Sequence, residues 1–249
     1  MEYQIRKLSY RDEDHIEQVC RLLNSSYDQD ISRYFIYRDA NYQAFLSNSL
    51  QGAQDLIYIV IDLDQHELMG FAQLKVLPDT LFLNNIIIKP EYRGNSIALL
   101  LLKFMVQETV SQQNYPETFS LDVFERNTPV VQWYLRLGMN ITGHKYWYNL
   151  MDYYHGFPRA ISSTNQIEIA QDENGFTQVF SSEVKIGTLM NGNALVVRSM
   201  PGPDVLNQLR RHFQNSLEAF GLITEQELDF PLIDKAFQMS MALKDLREN

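Results

Sequence analysis

Residues Leu81 to Val106 read LFLNNIIIKPEYRGNSIALLLLKFMV: an apolar run, a turn marked by proline, then a long apolar segment. Ile86, Ile87 and Ile88 are β-branched and stop at Lys89-Pro90, which suits a buried strand, because the residue before a proline is pushed towards extended geometry. Arg93-Gly94-Asn95-Ser96 follows, and from Ile97 to Val106 almost every residue is a strong helix former. The stretch therefore predicts strand, tight turn, helix. Where a helix begins, the first backbone N–H groups lack intrahelical partners and the helix dipole adds about half a positive charge, so the turn suits a phosphate. Taken alone, it can equally be a surface turn that caps a core helix.

Composition narrows the setting. A chain of 249 residues with 45% hydrophobic and 21% charged residues is an ordinary globular protein able to bury a core, divided as one domain of about 150 residues and a smaller one. The formal net charge of −10 argues against general nucleic-acid binding, which needs a basic face; an acidic surface can attract a cationic substrate such as an amine, and it is equally an ordinary feature of many globular proteins. The start, MEYQIRKL, has no signal-peptide core, and the apolar run Ala98 to Leu102 is far short of the roughly 20 residues of a membrane span, so a cytoplasmic protein without membrane attachment is expected. The single cysteine, Cys20, sits beside Val19 and Leu22 and reads as a small buried hydrophobe. His15, His66, His144, His155 and His212 are scattered, so no metal site is expected, and no Walker-type loop or serine-nucleophile elbow is found.

Upstream of the opening stretch, Tyr3 to Leu8 alternates as a strand, and Asp14 to Leu23 is a helix with Ile16, Val19, Cys20 and Leu23 on one side. A second helix is expected at about Ala40 to Leu50. Leu56 to Ile61 and Leu68 to Val76 are strand signals, and Gly70 inside the second implies a bulge or a close backbone approach. With Leu81 to Ile88 they make a three-stranded antiparallel meander. Downstream, polar Ser111 to Asn114 and Pro116 end the helix, and Thr118 to Phe124 is a strand that should run parallel to Leu81–Ile88, because a crossover helix joins the two. Asn127 is a good helix N-cap, Pro129 a good early helical residue and Gly138 a good helix stop.

EYRGNSIALLLL resembles the acyl-CoA pyrophosphate loop of the GNAT superfamily of N-acetyltransferases, whose pattern is Arg or Gln, two residues, Gly, one residue, then Gly or Ala. Arg93 fills the first position and Ala98 the last, while Ser96 stands where the family usually has glycine. A serine there presents its N–H without strain at negative φ, whereas a positive φ costs about 1 kcal/mol or more. The segment Asn127 to Met139 resembles the superfamily's Asn, helix, Tyr, Gly-aromatic motif, with Met139 where Phe is common.

The resemblance implies an α/β (α+β) GNAT fold over residues 1–150, a mixed and mostly antiparallel sheet flanked by helices. It implies an enzyme that moves an acetyl group from acetyl-CoA, as co-substrate, to a primary amine on a small molecule or peptide. By the same resemblance Ile86 and Ile88 hold pantetheine through their backbone, Arg93, Gly94, Asn95, Ser96, Ile97 and Ala98 hold pyrophosphate, and Asn127 positions the cofactor. Tyr134 matches the position whose phenol faces the acyl sulfur and protonates the departing thiolate; a tyrosine pKa of about 10 keeps it protonated at neutral pH. Tyr27, Tyr34 and Tyr37 match the region bordering the acceptor pocket. The fourth strand offers Asn84 and Asn85 rather than an acid, so the amine's proton goes to a water chain or to a carboxylate elsewhere, Glu125 being one. The rival reading is a non-catalytic CoA-binding or regulatory module.

Residues 151–165, MDYYHGFPRAISSTN, read as a linker. Beyond it, residues 166–249 form a small α+β domain: strand signals at Gln166–Ala170, Phe176–Ser181, Val184–Leu189 and Ala194–Ser199, then helices at about Asp204–Phe220 and Glu225–Leu246. Its order, with Gly187 against Gly70, loosely echoes Leu68 to Phe104, as a degenerate half of the same fold would; MPGPDVLNQL lacks the basic residue and glycine spacing of a pyrophosphate loop, so no second CoA is expected there. This domain would shape the acceptor pocket or a homodimer contact.

Overall fold

A computed structural model describes residues 2–52, 55–110, 115–156, 166–214 and 216–248. The chain opens with β1 (Tyr3–Lys7) and α1 (Glu13–Ser25), which buries Ile16, Val19, Cys20 and Leu23 at the spacing of one helix face. α2 (Gln29–Ser32), a 3-10 turn at Ile36–Arg38 and α3 (Tyr42–Ser49) follow. β2 (Asp55–Asp62), β3 (Glu67–Val76) and β4 (Leu81–Ile88) form the expected antiparallel meander. After a 3-10 turn at Pro90–Tyr92 come α4 (Ile97–Val110), β5 (Thr118–Phe124), α5 (Thr128–Arg136), β6 (Asn140–Asn149) and α6 (Met151–Gly156). The remainder is β7 (Ile167–Gln171), β8 (Thr177–Ser181), β9 (Val184–Met190), β10 (Ala194–Val197), α7 (Pro203–Phe213), β11 (Ala219–Thr224), β12 (Leu232–Ala242) and α8 (Leu243–Glu248). Among the described residues no helix is long and apolar enough to cross a membrane.

Of the two expected helices in this part, one is shorter than expected and the other is replaced by a strand. Asp204–Phe220 is helical to Phe213 before β11 begins, and Glu225–Leu246 holds β12 with only the start of α8 after it. Leu232–Ala242, LIDKAFQMSMA, is rich in helix formers, yet Asp234, Ala236, Met239 and Met241 are its buried residues, at a spacing of two broken once. A place between strands overrides the local preference. The expected linker begins as α6; its residues 157–165 lie outside the described residues, as do Ser111 to Asn114 of the expected turn after α4.

The chain forms two compact units, neither continuous in sequence. One comprises Met1–Ser26, Gln43–Gly143 and Phe237–Asn249, the other Tyr27–Tyr42 and His144–Ala236. The boundaries at 150 and 166 therefore do not mark compact units: Tyr27–Tyr42 goes with the second unit and the last residues with the first. The cause is pairing between strands distant in sequence. In the first unit the strands run β1-β2-β3-β4-β5 and then the end of β12, whose Met239 and Met241 join Leu243 and Leu246 of α8 in the core beneath α4. That core also holds Leu74, Leu81, Leu83, Phe119 and Leu121 of the sheet and Leu101, Leu102 and Met105 of α4.

In the second unit the strands run β7-β8-β9-β10-β11-β6. Leu195, Val197, Phe220 and Leu222 face α7, while Ala194, Val196, Ala219 and Ile223 face Tyr34. From β7 to β11 this unit repeats the order and directions of β1 to β5: three antiparallel pairs, then a parallel pair joined by a helix. Even its irregularity recurs. A register shift sits beside Gly70, where a Cβ would come within 2.6 Å of the Ile87 carbonyl oxygen, and another beside Gly187, where a Cβ would come within 2.5 Å of the Val196 carbonyl oxygen. Each glycine permits a close backbone approach beside a bulge.

Candidate functional site

The first unit opens its sheet between β4 and β5. The parallel pairing covers Leu81 to Leu83 against Phe119 to Leu121 and then ends, although β4 continues to Ile88 and β5 to Phe124. Past Leu83, β4 is paired only with β3. The Lys89 N–H donates to the Met69 carbonyl, on the β3 side, so the alternation of the strand turns the backbone groups of Ile88 and Ile86 towards the opening. The Ile88 carbonyl already accepts a hydrogen bond from Arg93 Nε at 2.9 Å, which folds the arginine back over the strand it follows. One lone pair of that oxygen remains.

The turn at Arg93 to Ser96 takes the positive sign of φ that the sequence left open. Gly94 has φ of 80° and Ser96 φ of 58°, so Ser96 adopts the left-handed conformation in which a non-glycine residue is strained. The Ser96 carbonyl accepts the N–H of Leu100, which makes Ser96 the residue that starts α4, and the Asn95 side chain donates to the Tyr92 carbonyl at 3.3 Å. The N–H groups of Gly94 to Leu99 find no acceptor among the described residues. Arg93, Gly94, Asn95 and Ser96 are exposed, and Ile97 is buried and anchors the helix. Six N–H groups without a protein acceptor among the described residues, at and just before a helix N-terminus, are an arrangement that can receive an anion.

Behind the opening, a polar chain crosses three strands. Gln73 lies between Ala72 and Leu74, which pack in the core under α4, so its own side chain is on the opposite sheet face. Its Nε2 donates to Asp55 Oδ1 at 3.2 Å, and its Oε1 accepts Asn84 Nδ2 at 2.9 Å and Asn85 Nδ2 at 3.1 Å. Gln73 and Asn85 are buried. The register passes from Gln73↔Asn85 to Leu74↔Leu83, leaving Asn84 as an extra residue in a bulge. Gln73 and Asp55 were not among the sequence candidates. The one sign of them is a glutamine inside the apolar run Leu68 to Val76.

Tyr134 lies on α5, buried in the core beneath α4, its ring 4.8 Å from that of Trp133. Burial pushes its hydroxyl pKa well above the ordinary tyrosine range, so the group stays protonated at any physiological pH. Asn127 starts α5 with its backbone rather than its side chain: its carbonyl accepts the N–H groups of Val130 and Val131, and its exposed side chain makes no cap. Gly138 ends the segment at φ of 88°. Glu125 is exposed at the end of β5. Cys20 is buried and its thiol is pushed up to about 11 by burial, as an inert core residue would be.

The aromatic residues after α1 belong to the second unit. Tyr34 is buried against Gly221, where a Cβ would come within 2.7 Å of its ring. Tyr27, Phe35, Tyr37 and Trp147 form a half-buried group, with Phe35 centred 4.9 Å from Tyr27, 5.4 Å from Tyr37 and 5.3 Å from Trp147. In the same unit α7 begins with Pro203 after Gly202 and carries Asp204 in its first turn, an N-terminus short of one donor and holding a carboxylate where the first unit presents N–H groups.

Residues 16–139 match the acetyltransferase (GNAT) family. Over 86 residues the chain is 34% identical to a Bacillus subtilis (strain 168) protein provisionally assigned as a ribosomal protein bS18-alanine N-acetyltransferase; the match spans 34% of this chain and 55% of that relative's length. Among solved structures, a tandem GNAT protein from the clavulanic acid biosynthesis pathway superposes with a TM-score of 0.69 at 11% identity, covering 97% of this chain and 99% of the other. A Vibrio cholerae spermidine N-acetyltransferase bound to CoA and spermine gives a TM-score of 0.52 at 14% identity, over 98% and 97% of the two chains. At these identities the structural likeness is one of fold.

Proposed function

Because residues 16–139 belong to the GNAT acetyltransferase family, we propose that the chain transfers an acetyl group from acetyl-CoA directly to a primary amine. The observation that carries this reading is the pairing of a turn with unsatisfied N–H groups, Gly94 to Leu99, and an adjacent parting of β4 from β5. CoA needs both: an anion site for its pyrophosphate and a strand edge for the two amides of pantetheine. Gly94 to Ala98 hold the pyrophosphate with Arg93 beside them, Ile86 and Ile88 offer backbone groups to pantetheine, and Asn127, exposed next to the opening, orients the cofactor.

In the transfer the neutral amine nitrogen attacks the acetyl carbonyl carbon, a C–N bond forms, and the C–S bond breaks with its electron pair on sulfur. Tyr134 gives its proton to that thiolate and regains one from the amine through water. β4 carries no carboxylate, so water is also the route assigned to the extra proton that an amine arriving as ammonium sheds before it attacks, with Glu125 at the end of β5 as the outlet of that proton. Burial keeps the phenol protonated, so its proton is present for the acid role and the group is not available as a base. The need for acetyl-CoA and the single reduced cysteine agree with a cytoplasmic setting.

Titration calorimetry with acetyl-CoA, followed by thiol release with an amine panel, tests the reading. The panel includes spermidine, spermine and an alanyl peptide, chosen from the names of the similar proteins, and cationic amines are favoured by the net charge of −10. Saturable binding with turnover is expected. Binding without turnover on any amine would support the non-catalytic rival, and no binding would remove both.

A further inference from the structure

The chain Asp55, Gln73, Asn84, Asn85 has a built-in direction. A carboxylate accepts hydrogen bonds and does not donate, so Asp55 forces Gln73 to turn its Nε2 towards β2. Gln73 Oε1 must then face β4, where it accepts from both asparagines. Each asparagine commits its Nδ2 to Gln73, and each Oδ1 is turned away from it. An isolated asparagine can rotate its amide to show either end. Here one acceptor-only group, two hydrogen bonds away, selects which end is shown.

Asn84 is the residue placed to use this. It is half-buried and occupies the bulge, where no β3 residue stands opposite it. A cofactor arm anchored at Gly94 to Leu99 and running back along β4 passes Ile88, then Ile86, and next reaches Asn85 and Asn84. From Ile86 to Asn84 is two residues, about 7 Å of strand. The thioester end of the arm therefore falls beside the bulge.

We propose that Asn84 binds the acceptor amine, its Oδ1 accepting an N–H of the attacking nitrogen beside the thioester, and that Asp55 and Gln73 are positioning residues that hold the amide in this orientation. The proposal rests on the acetyl-transfer reading. An amide oxygen does not take the proton; it holds the nitrogen and leaves the proton to water. It serves an acceptor that carries N–H to donate, and offers nothing to a tertiary amine.

Steady-state kinetics on the best amine of the panel, with acetyl-CoA affinity measured separately by calorimetry, test it. Asn84→Ala is expected to lower kcat/KM for the amine roughly 10- to 100-fold, as loss of a hydrogen bond to a charged or reacting group does, with acetyl-CoA Kd unchanged within about twofold. Asp55→Asn keeps the shape but frees Gln73 to turn, and is expected to cost roughly threefold to tenfold in the amine's kcat/KM alone. Added to Asn84→Ala, Asp55→Asn should cost nothing further, because it acts only through that amide. An Asn84→Ala protein with unchanged kcat/KM overturns the proposal, and so does an Asp55→Asn effect that adds in full to that of Asn84→Ala or appears in acetyl-CoA Kd. Should Asn84→Ala not fold, Asp55→Asn decides alone: a lowered kcat/KM for the amine with unchanged acetyl-CoA Kd supports the assignment, and an unchanged kcat/KM overturns it. Absence of turnover by the unmodified protein on every amine would remove the transfer reading first, before any variant is made.

Discussion

Gly94 and Ser96 share one turn and one backbone conformation, and exchanging their residue types should move stability in opposite directions. Gly94 has φ of 80° and Ser96 φ of 58°. A Cβ at Gly94 would meet nothing within 4 Å, so Gly94→Ala introduces no clash, only a left-handed alanine. That conformation costs a non-glycine residue about 1.5 kcal/mol, and the loss of glycine's freedom in the unfolded chain offsets about 0.5, leaving a destabilisation of about 1 kcal/mol. Ser96→Gly runs the same sum backwards and should stabilise by about 1 kcal/mol. The two variants would differ by about 2 kcal/mol, or about 4–8 °C in Tm for a chain of this size. Thermal unfolding followed by circular dichroism, with urea midpoints as a check, reads the difference. Variants that shift Tm in the same direction, or that lie within about 1 °C of each other, would refute a left-handed turn at these positions.

Four further outcomes follow from the same structure. Tyr134→Phe should lower kcat about 100-fold with acetyl-CoA Kd little changed, and full turnover would remove the acid role. The rate should rise with pH as the amine loses its proton and should show no decline below about pH 10, because burial holds the Tyr134 hydroxyl above the ordinary tyrosine range. Stability should behave otherwise: Tyr34, Tyr58, Tyr134 and Tyr154 all have folded pKa values raised by burial, so their contribution is complete below about pH 10 and is lost above it, seen as a lower urea midpoint at about pH 10.5 than at pH 8. Gly70→Ala and Gly187→Ala, whose new Cβ atoms would press on backbone carbonyls, should each cost about 2–3 kcal/mol, more than Gly94→Ala, and equal costs at all three would contradict the close approaches.

Leu81 to Val106 was readable because its signals are local: β-branched residues before a proline, a glycine turn, then helix formers. The prediction of a parallel β4 and β5 also needed only the crossover rule, and both strands lie where expected. Sequence could pose the question at Ser96 but not answer it, since either sign of φ was open until the backbone was seen. Leu232–Ala242 misled because alanine, lysine, glutamine and methionine favour a helix until a sheet claims them. The compact units were hidden for a related reason, as membership of Tyr27–Tyr42 and Phe237–Asn249 depends on contacts far along the chain. Gln73 and Asp55 escaped notice because register and a bulge, neither visible in sequence, bring them into line with Asn84.

The account stands most directly on the donors of one turn, and amide hydrogen exchange read by mass spectrometry or NMR with and without saturating acetyl-CoA measures them. Exchange at Gly94 to Leu99, whose N–H groups find no acceptor among the described residues, is expected to slow strongly when the cofactor is bound, together with that of Ile86 and Ile88. Unchanged exchange across Gly94 to Leu99 with protection appearing instead around Met200 to Asp204 would contradict it.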